Sequence, residues 1–175
     1  MDTSHYIEEQ FLRFYTDESD AIFRFCLIRT SDREVALDLS QETFMRLWDT
    51  LSNRTEIRNI RAFLFTVARH LVIDWYRKKK PQSLEALAGE SEDIDQVIPM
   101  VDNMQGEIEM NVEGRYLIDK INELPPVYRE VVYLRFVEGL PPKEIGEIVG
   151  KSVGAVSVSI HRGIEKLREL TGYQT

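Results

Sequence analysis

The chain has 175 residues, of which 43% are hydrophobic and 10% aromatic, a composition that suits one ordinary folded domain or two small ones. Its net charge is −8, its N-terminus MDTSHYIEEQ is acidic and unlike a secretory signal, and no apolar run approaches a membrane span. Membrane insertion is therefore not expected, and a cytoplasmic location is.

The charge is unevenly spread. Residues 1–50 carry a net −6, residues 51–80 a net +6, residues 81–114 a net −9 and residues 115–175 a net +1. A basic block sits between two acidic ones, and nucleic acid responds to that local field more than to the total. The single cysteine, Cys26, excludes an internal disulfide and reads as a core residue of a protein kept in a reducing compartment.

The first 80 residues contain no proline or glycine. Apolar spacing predicts helices over 7–15 and 18–29, then a third from Arg33 to Leu51 capped by Ser31 or Asp32. The polar stretch 51–59, LSNRTEIRN, predicts a loop, and a fourth helix follows over 60–79, ended by Pro81. Residues 81–112 hold no Lys or Arg and no sustained period, and read as an acidic linker. Helices resume over 113–123 and from Pro126 to Glu138, with Gly139 as the stop. The predicted fold is all-α: two small helical domains, residues 1–80 and 113–175, joined by the acidic linker 81–112.

Pro141–Leu170 has the layout of a helix-turn-helix. Ile145, Ile148 and Val149 stripe a short first helix, Gly146 suits a close helix crossing, and Gly150 suits a left-handed stop. Ser152 is a good N-cap for a second helix, whose buried stripe is predicted as Val153, Val156, Ile160, Ile164 and Leu167. Two further segments stand out. ALDLSQETFMRLW combines apolar positions with outward polar ones. RAFLFTVARHLVIDWYRKK interleaves basic residues with Phe63, Trp75 and Tyr76, a combination that neutralises phosphates and stacks on bases.

Taken in this order, the three segments resemble a bacterial RNA polymerase sigma factor of the small extracytoplasmic-function (ECF) group, over about 15–77 and 124–170. The resemblance implies that Asp38, Leu39, Gln41, Glu42, Phe44, Arg46, Leu47 and Trp48 dock on the clamp helices of the largest subunit of core RNA polymerase. It implies that the next loop and helix recognise and melt the minus-ten element of promoter DNA, through Asn53, Arg54, Arg58, Arg61, Phe63, Arg69, His70, Asp74, Arg77 and Lys78. It assigns the helix-turn-helix to the minus-thirty-five element. The flap of the second polymerase subunit and an anti-sigma factor are further implied partners.

Two positions depart from the family pattern. His70 stands where Asn is common, and Gly154–Ser159 replaces a run rich in basic residues. Duplex readout then falls to Ser157, Ser159, His161 or Arg162, with apolar contact of Ala155 or Val158 to thymine methyls beside Gly154. Phosphate anchoring falls to the Ser152-capped helix N-terminus and to Arg129, Arg135, Lys143, Lys151, Arg162 and Lys166. The competing reading is a helix-turn-helix regulator that is not a polymerase subunit, and it leaves the first two segments without a role. An enzyme is disfavoured: no H-E-x-x-H, Walker, C-x-x-C or G-x-S-x-G motif occurs, and His5, His70 and His161 are scattered, so neither metal nor cofactor is expected.

Overall fold

A computed structural model of the chain describes residues 3–79 and 111–172, and every regular element among them is an α-helix. In chain order these are α1 (Thr3–Thr30), α2 (Arg33–Ser52), α3 (Ile60–Lys79), α4 (Val112–Asn122), α5 (Pro126–Phe136), α6 (Pro142–Val149) and α7 (Val153–Thr171). The chain divides into two compact units, Met1–Trp75 and Tyr76–Thr175. The stop at Pro81 and residues 81–110 of the expected acidic linker lie outside the described residues; its last two residues, Asn111 and Val112, cap and open α4.

The two helices expected over 7–15 and 18–29 are one continuous helix, α1. Thr16 and Asp17 have modest helix propensity, but nothing between Thr3 and Thr30 removes a donor or frees the backbone, so the helix carries through. It stops at Ser31, which takes a left-handed φ of 51°. Asp32 is the cap that opens α2: its Oδ1 accepts from the backbone N–H groups of Glu34 at 3.0 Å and Val35 at 3.1 Å. This two-residue connection folds α1 back on α2. Ile22, Phe25, Ile28, Leu47, Leu64, Phe65 and Val72 form the buried core of the unit, with the Phe25 ring edge-on to Phe65 at 5.5 Å. Arg29 is buried there too. Its guanidinium lies 3.5 Å from the Phe25 ring centroid and donates to the Phe25 carbonyl at 3.0 Å, so the charge is held by a π face and a backbone acceptor.

In the second unit, Asn111 caps α4 by accepting from the Gly114 N–H at 2.8 Å, and Pro126 opens α5 at a position that needs no donor. α5 ends at Phe136, two residues before the expected Glu138. The reason is a buried bond: the Tyr133 hydroxyl donates to Glu138 Oε1 at 2.6 Å, which folds the acid back under the helix end. α6 and α7 are joined by Gly150, whose φ is +69°, and by Lys151 and Ser152, whose Oγ accepts from the Ala155 N–H at 3.2 Å. Two glycines set the spacing. A Cβ on Gly146 would stand 2.7 Å from the Lys151 carbonyl oxygen, and one on Gly163 would stand 2.5 Å from Val132 Cγ2 of α5. Of the stripe expected on α7, Val156 and Ile160 are in the core and Ile164 and Leu167 are half-buried, but Val153, the first residue of the helix, is 48% exposed.

These contacts give two expectations. Gly146→Ala forces a methyl against a backbone carbonyl and should destabilise the chain by about 1–3 kcal/mol in urea unfolding. Cys26 is fully buried, and burial pushes its thiol from 9.0 up to about 12. Iodoacetamide at pH 8 should leave native Cys26 unmodified and alkylate it fully in guanidinium. The folded state holds this thiol protonated, so its contribution to stability is present below pH 9 and is lost as pH rises towards 12.

Candidate nucleic-acid interface

Each of α2, α3 and α7 buries one face and turns the opposite one to solvent. On α2, Asp38, Gln41, Arg46 and Trp48 are exposed, whereas Leu39 and Glu42 are half-buried. Phe44 and Leu47 lie in the core, so they shape the helix and do not present a surface. Arg46 Nε donates to Glu42 Oε1 at 3.1 Å, an exposed pair one turn apart that adds little stability but orders the surface. Reading the segment by its polar residues missed Leu37 and Met45. Met45 is 61% exposed, and Leu37, Gln41, Met45 and Trp48 form one outward line at spacings of four, four and three. Trp48 meets Phe11 edge-on at 5.3 Å, and Phe44 meets Tyr15 at 4.9 Å, which ties this half of α2 to α1.

The loop between α2 and α3 begins as α2 unwinds. Arg54 takes a left-handed φ of 55°, and its N–H donates to the Leu51 carbonyl at 3.0 Å. Asn53, Arg54 and Arg58 are exposed along this loop. Asn59 closes it by accepting from the Ala62 N–H at 3.0 Å, so α3 begins at a defined angle. Along α3, the half-buried Phe63 and the exposed His70, Asp74 and Arg77 repeat at spacings of seven, four and three, and Lys78 flanks them. Two expected contact residues stand apart. Arg61 is half-buried, with Nε donating to Glu18 Oε2 of α1 at 3.1 Å. Arg69 is only 4% exposed and belongs to the buried side, because one residue from His70 is a turn of about 100° around the helix. The basic character of this segment was legible in the sequence; which basic groups point outward was not.

On α7, Gly154, Ala155, Ser157, Val158, His161 and Arg162 are exposed and Ser159 is half-buried, and Ser152 caps the helix from an exposed position. His161 Nε2 lies 3.4 Å from Glu165 Oε1, one turn further on. The proposed phosphate anchors differ in freedom. Lys143 and Arg162 are exposed and Lys151 is half-buried at the turn. Lys166 donates to Glu169 at 2.9 Å, and that hydrogen bond pushes its pKa above the ordinary value, so the ammonium stays charged. Arg135 is exposed and donates to the Leu140 carbonyl at 3.3 Å, whereas Arg129 is half-buried and donates to the Leu124 carbonyl at 2.6 Å. Arg129 thus braces the turn between α4 and α5. Among the described residues, no three His, Cys, Asp or Glu side chains gather as a metal set, and no helix is long and apolar enough to cross a membrane.

Residues 14–82 match the family model for sigma-70 region 2, and residues 114–167 match that for sigma-70, region 4. The chain is 31% identical over 163 residues to the ECF RNA polymerase sigma factor BldN of Streptomyces coelicolor, which covers 93% of this chain and 60% of that protein. It is 32% identical over 159 residues to the ECF RNA polymerase sigma factor SigW of Bacillus subtilis, covering 86% of this chain and 82% of the relative. The chain thus spans less than two thirds of the length of BldN and most of SigW. Its fold is like that of the sigma factor RpoE solved with the anti-sigma factor NepR from Bartonella quintana, with a TM-score of 0.65 at 21% identity over 95% of this chain and 99% of the other. With a region 2 and a region 4 in one chain, and with relatives above 30% identity along most of its length, the chain belongs to the ECF family of RNA polymerase sigma factors.

Proposed function

We propose that this chain binds core RNA polymerase and directs promoter-specific initiation, with the polymerase supplying the chemistry. The observation that carries this reading is the outward face left on each of three helices, in a chain that holds both region 2 and region 4. In this reading α2 docks on the clamp helices of the largest subunit through Asp38, Gln41, Arg46 and Trp48, with Leu37 and Met45 adding apolar area. Phe44 and Leu47 act from the core, by fixing which face of α2 is outward.

The minus-ten element falls to the Asn53–Asn59 loop and to the α3 line of Phe63, His70, Asp74 and Arg77 with Lys78. Opening a base pair costs a few kcal/mol, and a polar loop beside an aromatic and basic helix offers an extruded base both hydrogen bonds and a stacking partner. Arg61 serves as a brace within the unit through Glu18, and Arg69 is buried away from the outward face. The minus-thirty-five element falls to α7, with its N-terminal N–H groups and Lys143, Lys151, Arg162 and Lys166 on phosphates. The second-subunit flap and an anti-sigma factor complete the proposed partners, the latter by covering the same outward faces.

Run-off transcription with core polymerase on a randomised promoter library tests the reading: enrichment of two separated sequence elements is expected, and no transcript from any promoter would contradict it. Lys151→Ala should lower the salt slope of duplex binding by about 0.9 and leave base preference unchanged. A shift in base preference would assign Lys151 to the bases instead.

A further inference from the structure

The start of α7 presents apolar side chains where a duplex-reading helix ordinarily presents polar or charged ones. Between Lys151 and His161 there is no ionisable side chain. Within that stretch Val153 is 48% and Val158 49% exposed, and Gly154 and Ala155 are exposed between them. Val158 lies on the face opposite the buried Val156 and Ile160, one helical turn beyond Gly154. A Cβ on Gly154 would meet nothing within 4 Å, so a glycine here relieves no crowding inside the protein. It leaves the outward surface one turn before Val158 without a side chain.

The chemistry of base edges limits what such a surface can read. Guanine is read by donors on Arg or Lys, adenine by Asn or Gln, and cytosine by an acceptor. A valine offers neither donor nor acceptor. The one apolar group on the major-groove edge of unmodified base pairs is the C5-methyl of thymine, and 5-methylcytosine carries the same methyl at the same ring position. Helix N-terminal residues are the ones that reach base edges in a helix-turn-helix.

We infer that the first two turns of α7 form a C5-methyl-reading site, centred on Val158 with the exposed Ala155 at its edge, which takes thymine and 5-methylcytosine in the upstream promoter element. The inference rests on the proposal that α7 reads that element as duplex. It makes the upstream contact sensitive to cytosine methylation of the promoter. The Ser157 hydroxyl, the His161–Glu165 pair and Arg162 lie beside the site and supply the polar part of the readout.

Holoenzyme reconstituted from the full chain and core polymerase provides the test. Its affinity is measured on promoter duplexes that carry thymine or deoxyuracil, and cytosine or 5-methylcytosine, at single positions of the upstream element. Each pair differs by one methyl. Burying that methyl against valine should be worth about fourfold in affinity, and the factor should be similar for both pairs at the same position. Val158→Ser, a substitution at an exposed site, should bring both factors to one. Sequence-selective binding that ignores the methyl at every position overturns the inference and leaves the proposed function standing. A methyl effect that survives in Val158→Ser overturns the assignment to Val158. Failure of the holoenzyme to select any upstream sequence overturns the inference together with the reading it rests on.

Discussion

The carbonyl oxygen of Lys151 stands 2.7 Å from where a side chain on Gly146 would begin. That close approach, together with the left-handed Gly150, lets the chain turn from α6 into α7 within Gly150, Lys151 and Ser152. The turn decides which side of α7 is covered. Val156 and Ile160 go inward, Gly163 lets α5 press against the helix, and Gly154, Val158, His161 and Arg162 are left outward. A larger residue at position 146 would push the helices apart and rotate that outward line. The outward face of α7 is therefore a consequence of backbone contact in the turn, and the side chains on it are free to vary without affecting the fold.

The N-terminal unit reaches its outward faces by another route. A three-helix unit covers one stripe on each helix and leaves the other uncovered. On α2 the covered stripe holds Ala36, Phe44, Leu47 and Leu51, and the uncovered one runs from Leu37 through Gln41 and Met45 to Trp48. On α3 the covered stripe takes Arg69 with it. Burying a guanidinium is costly unless it is held; Arg29 donates to the Phe25 carbonyl, and Arg69, also buried, is not without a partner. Part of the positive charge of residues 51–80 is thus structural, and the part that remains outward, with Arg58, Arg77 and Lys78, is what promoter DNA would meet.

Much of this was legible in the sequence, because the signals are local. Helical period, the Ser152 cap, the Gly150 stop and the prolines at the starts of α5 and α6 each act within a turn of backbone, and each lies where expected. The misses involve longer reach. α1 is continuous across Thr16 and Asp17 because packing against its neighbours outweighs a weak local preference. α5 stops early because Glu138 is drawn under the helix by Tyr133, a bond that no helical pattern announces. Val153 fits the apolar period of α7 but is left half exposed at the helix start, and Arg69 matches its basic neighbours in type but not in direction. Pattern shows which residues share a face; tertiary packing decides whether that face is covered.

In the proposed function one chain reads two DNA states, duplex at α7 and opened strand at the α2–α3 loop and α3. Site-specific photocrosslinking in the holoenzyme tests this most directly, with a benzophenone amino acid placed at position 158 or position 70 and the crosslinked nucleotides mapped on a promoter. Crosslinks from position 158 to the duplex upstream element, and from position 70 to the non-template strand of the melted region, are the predicted result. Crosslinks from both positions to the same element, or to none, would contradict it.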